Sequence, residues 1–189
     1  NDEKNQVNIN MKEGIIRLTK YVIRFCKANN KTLSIPLKRD PILNPKLSFD
    51  EKNFFKKNFS KEDYDFLQKN FVEKDRKNYS SLFSLLESEV AVGFTSTLLR
   101  NKISIGGKAL SCNLTKDEKY SFPLDGICKL DNCSYEEFEQ RLLEILQISD
   151  DEFNNQLNDK KDFLMRFDID SPASLLISKK LSQFGILKK

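Results

Sequence analysis

The chain contains no histidine and no tryptophan among its 189 residues. Histidine is the usual general base of nucleophilic sites and a common metal ligand. Its absence excludes Ser–His and Cys–His nucleophile pairs and histidine-bound metals within this chain. Any general base here must therefore be an aspartate, glutamate, lysine or tyrosine, and the residues assign no catalytic group.

Cysteine is scarce, and no two cysteines have the C-x-x-C spacing of a zinc site. We therefore expect no bound metal. Cys26 and Cys112 lie in apolar stretches, which predicts small buried hydrophobic side chains. The low cysteine density and the lack of a signal-peptide pattern indicate a reduced protein, so we expect a cytoplasmic location. No apolar run approaches the length of about 18 residues that a membrane-spanning helix needs.

The charges are numerous but balanced, with 32 Lys and Arg against 28 Asp and Glu and a formal net charge of +4. Basic and acidic residues are interleaved along the chain, so the sequence shows no nucleic-acid-binding surface. At this length, with 39% hydrophobic residues, we expect one domain with its own core over residues 1–189.

Strand and helix patterns alternate along the chain, which favours a parallel sheet covered on both faces. We predict an α/β, three-layer, Rossmann-like domain with about five parallel strands, helices on both faces and a helical C-terminus over residues 134–189. Residues 33–37, 90–94 and 108–112 are predicted to be parallel strands of one sheet. The side chains predicted to be largely buried are Val92, Phe94, Leu110, Phe138, Leu142 and Leu146.

Several helix boundaries are readable from local signals. Ser134 and Ser149 each have a Glu three residues later, which predicts two capping boxes. Ser171 followed by Pro at the next position predicts the start of a last helix. The stretch containing Pro41 and Pro45 is predicted to be a loop, with the next helix capped by Ser48.

The most informative segment is an apolar strand at residues 90–94 followed by Thr95, Ser96 and Thr97 and then an apolar helix start. A helix N-terminus carries partial positive charge and free N–H groups, which suits phosphate. In open α/β sheets, ligands bind at such turns at the carboxyl ends of strands. Plain helix capping by Ser and Thr is the alternative. Neither a Walker A sequence nor G-x-G-x-x-G is present.

Three cations are candidate partners for an anion at this turn. Lys38 and Arg39 follow the first predicted strand and are expected on the same carboxyl edge of the sheet, where they would neutralise phosphate. A solvated strand end is the alternative for both. Arg100 lies one helical turn beyond Thr97 and would either reach the anion or pair with Glu87 or Glu89.

The chain opens on a polar segment and a helix pattern, whereas an α/β domain normally opens on a strand. We therefore expect a fragment of a longer protein whose first strand lies upstream.

Three sequence runs carry a family resemblance: VGFTSTLLR, GKALSCNL and FPLDGICKLDNCSYEEFEQRLLEIL. Together they resemble the C-terminal half of bacterial glycosyltransferases of the GT-B fold, and more specifically the transferases of surface-carbohydrate and lipopolysaccharide gene clusters. The resemblance covers roughly residues 70–153.

The resemblance implies the half of the enzyme that binds the nucleotide-sugar donor, with Thr95, Ser96 and Thr97 at its phosphate. Arg100 matches a basic residue that often follows, while Asn101 stands where relatives commonly have an acid. The donor is a substrate, and no cofactor is implied. The implied partner is an N-terminal acceptor domain, absent here, which usually supplies the catalytic base. Peripheral membrane association of the parent enzyme is also implied.

Two other functions stay open at this point. The chain could be a stand-alone α/β interaction module without catalytic activity, in which case its reading frame would lack an upstream domain of about 200 residues. A response-regulator-like domain requires acidic residues after the first strand, and Lys38 and Arg39 occupy that place.

Overall fold

A computed structural model of the protein describes residues 2–75, 79–157 and 183. Within them, α-helices and β-strands alternate in an α/β order. The elements are α1 (Asp2–Ala28), β1 (Ile35–Pro36), α2 (Pro45–Asn58), α3 (Lys61–Lys69), β2 (Phe71–Val72), α4 (Ser80–Glu87), β3 (Val90–Gly93), α5 (Thr97–Ser104), β4 (Lys108–Asn113), β5 (Lys129–Asp131), α6 (Tyr135–Gln147) and α7 (Asp150–Gln156).

The five strands form two small parallel sheets. One sheet pairs β1 with β2, and the other has the order β3–β4–β5. The parallel pairing of β3 with β4 is confirmed, with Val92 opposite Leu110. The prediction that the first strand belongs to the same sheet is wrong, because β1 pairs with β2 alone among the described residues.

Proline explains part of this division. The N–H groups of Ile35 and Leu37 both donate to the β2 side, at 2.8 Å to the carbonyl of Asn70 and 2.9 Å to that of Val72. Alternate residues of a strand point to opposite edges, so the donor on the other edge of β1 would come from residue 36. Pro36 has no N–H, and prolines in sheets are accordingly found on edge strands.

Strand β4 is the centre of the larger sheet, and all six of its residues are buried. Around it lies the main core, to which α1 and α6 contribute aromatic side chains. The ring of Phe138 lies 5.6 Å from Tyr21 and 6.2 Å from Phe25, measured between centroids. A smaller cluster of Ile23, Phe59 and Leu67 packs beside β1 and β2, so α1 connects both sheets through its two sides.

The prediction of burial is confirmed for three of the six side chains, and the other three are less buried than predicted. Leu110, Phe138 and Leu142 are buried, and Val92, Phe94 and Leu146 are half-buried. All four cysteines are free and buried. Burial raises the pKa of the Cys128 thiol to about 11, so this thiol stays protonated near neutral pH. Among the residues that the structure describes, no helix combines the length and apolarity that crossing a bilayer demands.

The capping boxes at Ser134 and Ser149 are confirmed, because each serine accepts the N–H of a Glu whose carboxylate binds back. The loop predicted at Pro45 is wrong, since Pro45 is the first residue of α2. Proline suits that position because its missing N–H has no helical partner there. Ser48 is buried inside the helix instead of capping it. The helix predicted from Ser171 lies outside the described residues, apart from position 183.

Truncation of the central strand tests this account of the core. Leu110→Ala should lower the free energy of unfolding by about 2–5 kcal/mol, because Leu110 is fully buried between neighbours that cannot all close the cavity. Ile105→Ala removes a side chain that is 40% exposed and should cost less than about 1 kcal/mol. Urea unfolding of both variants gives the comparison, and equal losses would contradict the assignment of β4 as the core strand.

Candidate anion-binding turn and the adjoining cleft

The candidate turn joins β3 to α5 at the carboxyl end of the strand. Strand β3 ends at Gly93, and α5 begins at Thr97. Thr95 has a φ of 52°, in the left-handed region that β-branched residues rarely adopt. Such a conformation costs of order 1–3 kcal/mol and persists only where the surroundings hold it. Thr95 and Thr97 are exposed and Ser96 is half-buried.

Ser96 is the N-cap of α5. Its hydroxyl accepts the N–H of Leu98 at 3.2 Å, and its carbonyl accepts the N–H of Leu99 at 3.2 Å. Helix N-termini leave several N–H groups without intrahelical partners, and these two bonds satisfy two of them. The N–H groups of Ser96 and Thr97 have no protein acceptor within the described part of the chain. Capping therefore accounts for half of the free donors, and two remain for an anion.

A second polar group lies beside the turn. Ser111 on β4 stands opposite Gly93, the last residue of β3. It is only 1% exposed, and its hydroxyl has no hydrogen-bond partner among the residues described. Buried hydroxyls are normally paired, so this one is an available donor or acceptor next to the end of β3.

Arg100 is exposed on the first turn of α5 and forms no ion pair within the described residues. The alternative that it pairs with Glu87 or Glu89 is not observed among the described residues. Glu89 instead lies 3.9 Å from the ammonium of Lys31. The guanidinium of Arg100 is therefore free to reach an anion at the helix N-terminus, and its role there stays a prediction.

Lys38 and Arg39 follow β1 and do not share a sheet edge with the turn, because β1 belongs to the other sheet. Their side chains are exposed. Their backbone N–H groups both donate to the carboxylate of Glu51, each at 2.9 Å. These backbone N–H groups therefore bind a carboxylate of the chain itself, and they are not available to a ligand. A ligand role for the two cations rests on their side chains and stays a prediction.

A cleft of about 670 Å³ opens beside the turn. Among the predicted site residues, its lining includes Ser96. The remaining wall is mainly apolar and comes from α1, β1, α4, β3 and α6. Representative residues from these elements are Leu18, Val22, Ile35, Leu85, Val92 and Leu146.

Sequence reasoning missed two buried lysines that hold helix ends. The ammonium of Lys102 donates to the carbonyls of Leu85 at 2.9 Å and Ser88 at 2.6 Å, at the carboxyl end of α4. That of Lys108 donates to the carbonyl of Ile148 at 2.9 Å, at the end of α6. The sequence offers one sign of this arrangement, which is the glycine at position 107. A Cβ atom there would lie 2.6 Å from the Lys102 side chain, so a larger residue would clash with the buried lysine.

Burial also changes the chemistry of Lys102. Desolvation lowers the pKa of its ammonium, an effect opposed by the charge of Asp150 and reinforced by that of Lys108. Within the described residues, no group of three or more Cys, Asp or Glu side chains is arranged to hold a metal ion.

Comparison with known proteins gives no significant match to any protein-family model, curated protein or solved structure.

The buried position of Lys102 predicts a pH dependence of stability. Its folded-state pKa lies below the ordinary 10.5, so the unfolded chain binds a proton that the folded chain lacks between those two values. The free energy of unfolding should therefore rise as the pH increases through this window. Lys102→Met should lose that rise, whereas Lys56→Met, at an exposed position on α2, should retain it. Denaturant unfolding across the alkaline range measures it, and identical slopes in the two variants would contradict the assignment.

Proposed function

We propose that this chain is the donor-binding half of a glycosyltransferase of surface-polysaccharide synthesis. The turn of Thr95, Ser96 and Thr97 carries the proposal. It combines a strand's carboxyl end, a helix N-terminus with two unused N–H groups, and three hydroxyls. This combination suits the phosphate of a nucleotide sugar.

The proposed chemistry is electrostatic. When the glycosidic bond of the donor breaks, negative charge develops on the departing nucleotide phosphate. The N–H groups of Ser96 and Thr97, the dipole of α5 and the guanidinium of Arg100 stabilise this charge, because they are positioned before the reaction begins. The side chains of Lys38 and Arg39 add positive charge if they reach the donor. The chain supplies no assigned general base; in this proposal the acceptor domain provides it.

The finer architecture belongs to the same proposal. The alternating order and all-parallel pairing are those expected of a three-layer, Rossmann-like donor domain. In this proposal residues 1–189 are one domain, the nucleotide sugar is substrate with no separate cofactor, and the reaction takes place in the cytoplasm.

A stand-alone interaction module is the second candidate, and one observation favours it. Helix α4 presents large apolar side chains to solvent: Leu82 is 42% exposed, Phe83 55% and Leu86 49%. Tyr79, just before the helix, is 66% exposed. Adjacent exposed apolar side chains often mark a protein interface. This candidate predicts a protein partner and no nucleotide-sugar binding.

Substitution of the cap residue tests the proposed function. Ser96→Asp should abolish binding of nucleotide sugars, because a fixed carboxylate at the positive helix end competes with and repels phosphate. The fold should survive, since Asp is itself a good N-cap. A thermal-shift screen of CMP, UDP, GDP and CDP sugars reads the effect. A nucleotide sugar that binds, present at a concentration 100 times its dissociation constant, should raise the free energy of unfolding of the parent chain by about 2.7 kcal/mol.

Ser60→Asp is the matched control. Ser60 caps α3 in the same way, accepting the N–H of Asp63 at 3.1 Å, but stands at a helix with no proposed ligand. The control should bind the same sugar as the parent chain. If Ser96→Asp binds equally well, or if no sugar stabilises the parent, the phosphate assignment fails and helix capping is the whole role of the turn.

A further inference from the structure

Among the residues that the structure describes, each sheet has one inner strand edge without a partner. Within the described residues β1 pairs only with β2, and β3 pairs only with β4. Residues 31–36 and 89–94 both line the cleft, so both strands contribute to its wall. An unpaired edge exposes backbone N–H and C=O groups that accept another strand.

The residues that lead into β1 and β3 contact each other in the lining of this cleft. Lys31 precedes β1, Glu89 precedes β3, and their charged groups lie 3.9 Å apart. Beside them, the hydroxyl of Ser34 lies 3.1 Å from that of Ser84 on α4. Among the described residues, the contact between Lys31 and Glu89 links the two strand starts where no backbone ladder joins the strands. One strand inserted between them would require a separation of about 10 Å, twice the ladder spacing.

The part of the cleft wall that comes from helices is also apolar. Helix α1 presents Leu18 and Val22 to it, and α6 presents Leu142 and Leu146. A strand buried between two neighbours and under helices reads as a continuous apolar run. The wall therefore favours Val-, Ile- and Leu-rich polypeptide over a polar ligand.

We infer that the cleft is a strand-binding groove whose occupant is an extended, apolar segment of polypeptide lying parallel to β1 and β3. The occupant would join the two sheets in the order β2–β1–strand–β3–β4–β5. Its place is the one that the strand before α1 holds in the Rossmann order 3-2-1-4-5-6. The point where that order reverses then falls between the occupant and β3, beside the turn at Ser96.

The edge of β1 specifies how the occupant pairs. Since Ile35 and Leu37 face β2, Ser34 and Pro36 face the groove. Pro36 offers a carbonyl but no N–H, and the next such donor, the N–H of Lys38, is already bound to Glu51. The occupant must therefore act mainly as a donor towards β1, and it needs free N–H groups on that edge.

This inference does not depend on the nucleotide-sugar proposal. It concerns backbone edges and an apolar wall, and its test uses no nucleotide. The groove could take a strand in a protein that binds no sugar, and the turn could hold phosphate with the groove empty.

The test adds a peptide to the full chain and follows amide hydrogen exchange. The probe has the sequence Lys-Val-Ile-Val-Ile-Val-Lys, with blocked ends. Exchange should slow by at least about tenfold at the amide of Ser34, which faces the groove, and in residues 90–94, where the second ladder forms. It should stay unchanged in β5. The matched probe is the same peptide with alternate N-methyl groups on one edge. It keeps every side chain but loses the donors, so it should give no protection.

Two variants check the location. Val22→Glu places a carboxylate in the apolar wall and should weaken peptide binding at least about tenfold. Ile42→Glu, at a side chain that is 88% exposed and outside the groove, should bind like the parent chain. Equal protection by both peptides would mean adhesion to apolar surface and would overturn the inference. So would an absence of protection at Ser34 and in β3 with the unmodified peptide, a result that does not require Val22→Glu to fold.

Discussion

The complete burial of β4 is the constraint on which the larger sheet depends. Three of its six residues, Lys108, Ser111 and Asn113, are polar, and each is at most 5% exposed. Buried polar groups normally require partners. Lys108 finds one in a distant part of the chain and Asn113 in the segment just after the strand, whereas the hydroxyl of Ser111 has none among the described residues. Lys108 binds the end of α6 at Ile148. Asn113 donates to the carbonyl of Asp117 at 2.9 Å and accepts from the hydroxyl of Thr115 at 2.6 Å. Both ends of the strand are thereby tied to neighbouring segments.

This arrangement also fixes the candidate turn. Strand β3 is held by its ladder to β4, so the end of β3 at Gly93 is set opposite Ser111. Helix α5 is held at its other end by Lys102, which binds the carbonyls that terminate α4. With both sides constrained, Thr95 can keep its left-handed conformation, and the N-terminus of α5 is presented to solvent in one orientation.

Local features were predictable and long-range ones were not. The caps at Ser134 and Ser149 involve only neighbouring residues, so the sequence pattern contains all of the relevant physics. The β3–turn–α5–β4 unit was similarly readable from one apolar run, a hydroxyl cluster and the Gly pair that ends the helix. The division into two sheets depends on which strand β1 meets, which no local pattern encodes, although Pro36 was a visible warning of an edge strand.

The same distinction applies to the charged groups. Glu51 captures backbone N–H groups of Lys38 and Arg39, which lie on the far side of a loop and part of α2. From the sequence, those two residues were predicted to bind an anion through their side chains. No sequence pattern indicated that the carboxylate of Glu51 accepts hydrogen bonds from their backbone N–H groups. The roles of Lys102 and Lys108 were hidden for a related reason, since a lysine usually indicates a solvated surface.

The most direct test of the anion-binding account is a titration of the full chain with inorganic pyrophosphate, followed by the amide resonances in ¹⁵N–¹H spectra. The account predicts the largest shifts at the N–H groups of Ser96 and Thr97, because they are the unused donors at the N-terminus of α5. The amides of Lys38 and Arg39 should stay unshifted, because Glu51 occupies them. Shifts centred on Lys38 and Arg39, or no shift at the turn at millimolar pyrophosphate, would contradict it.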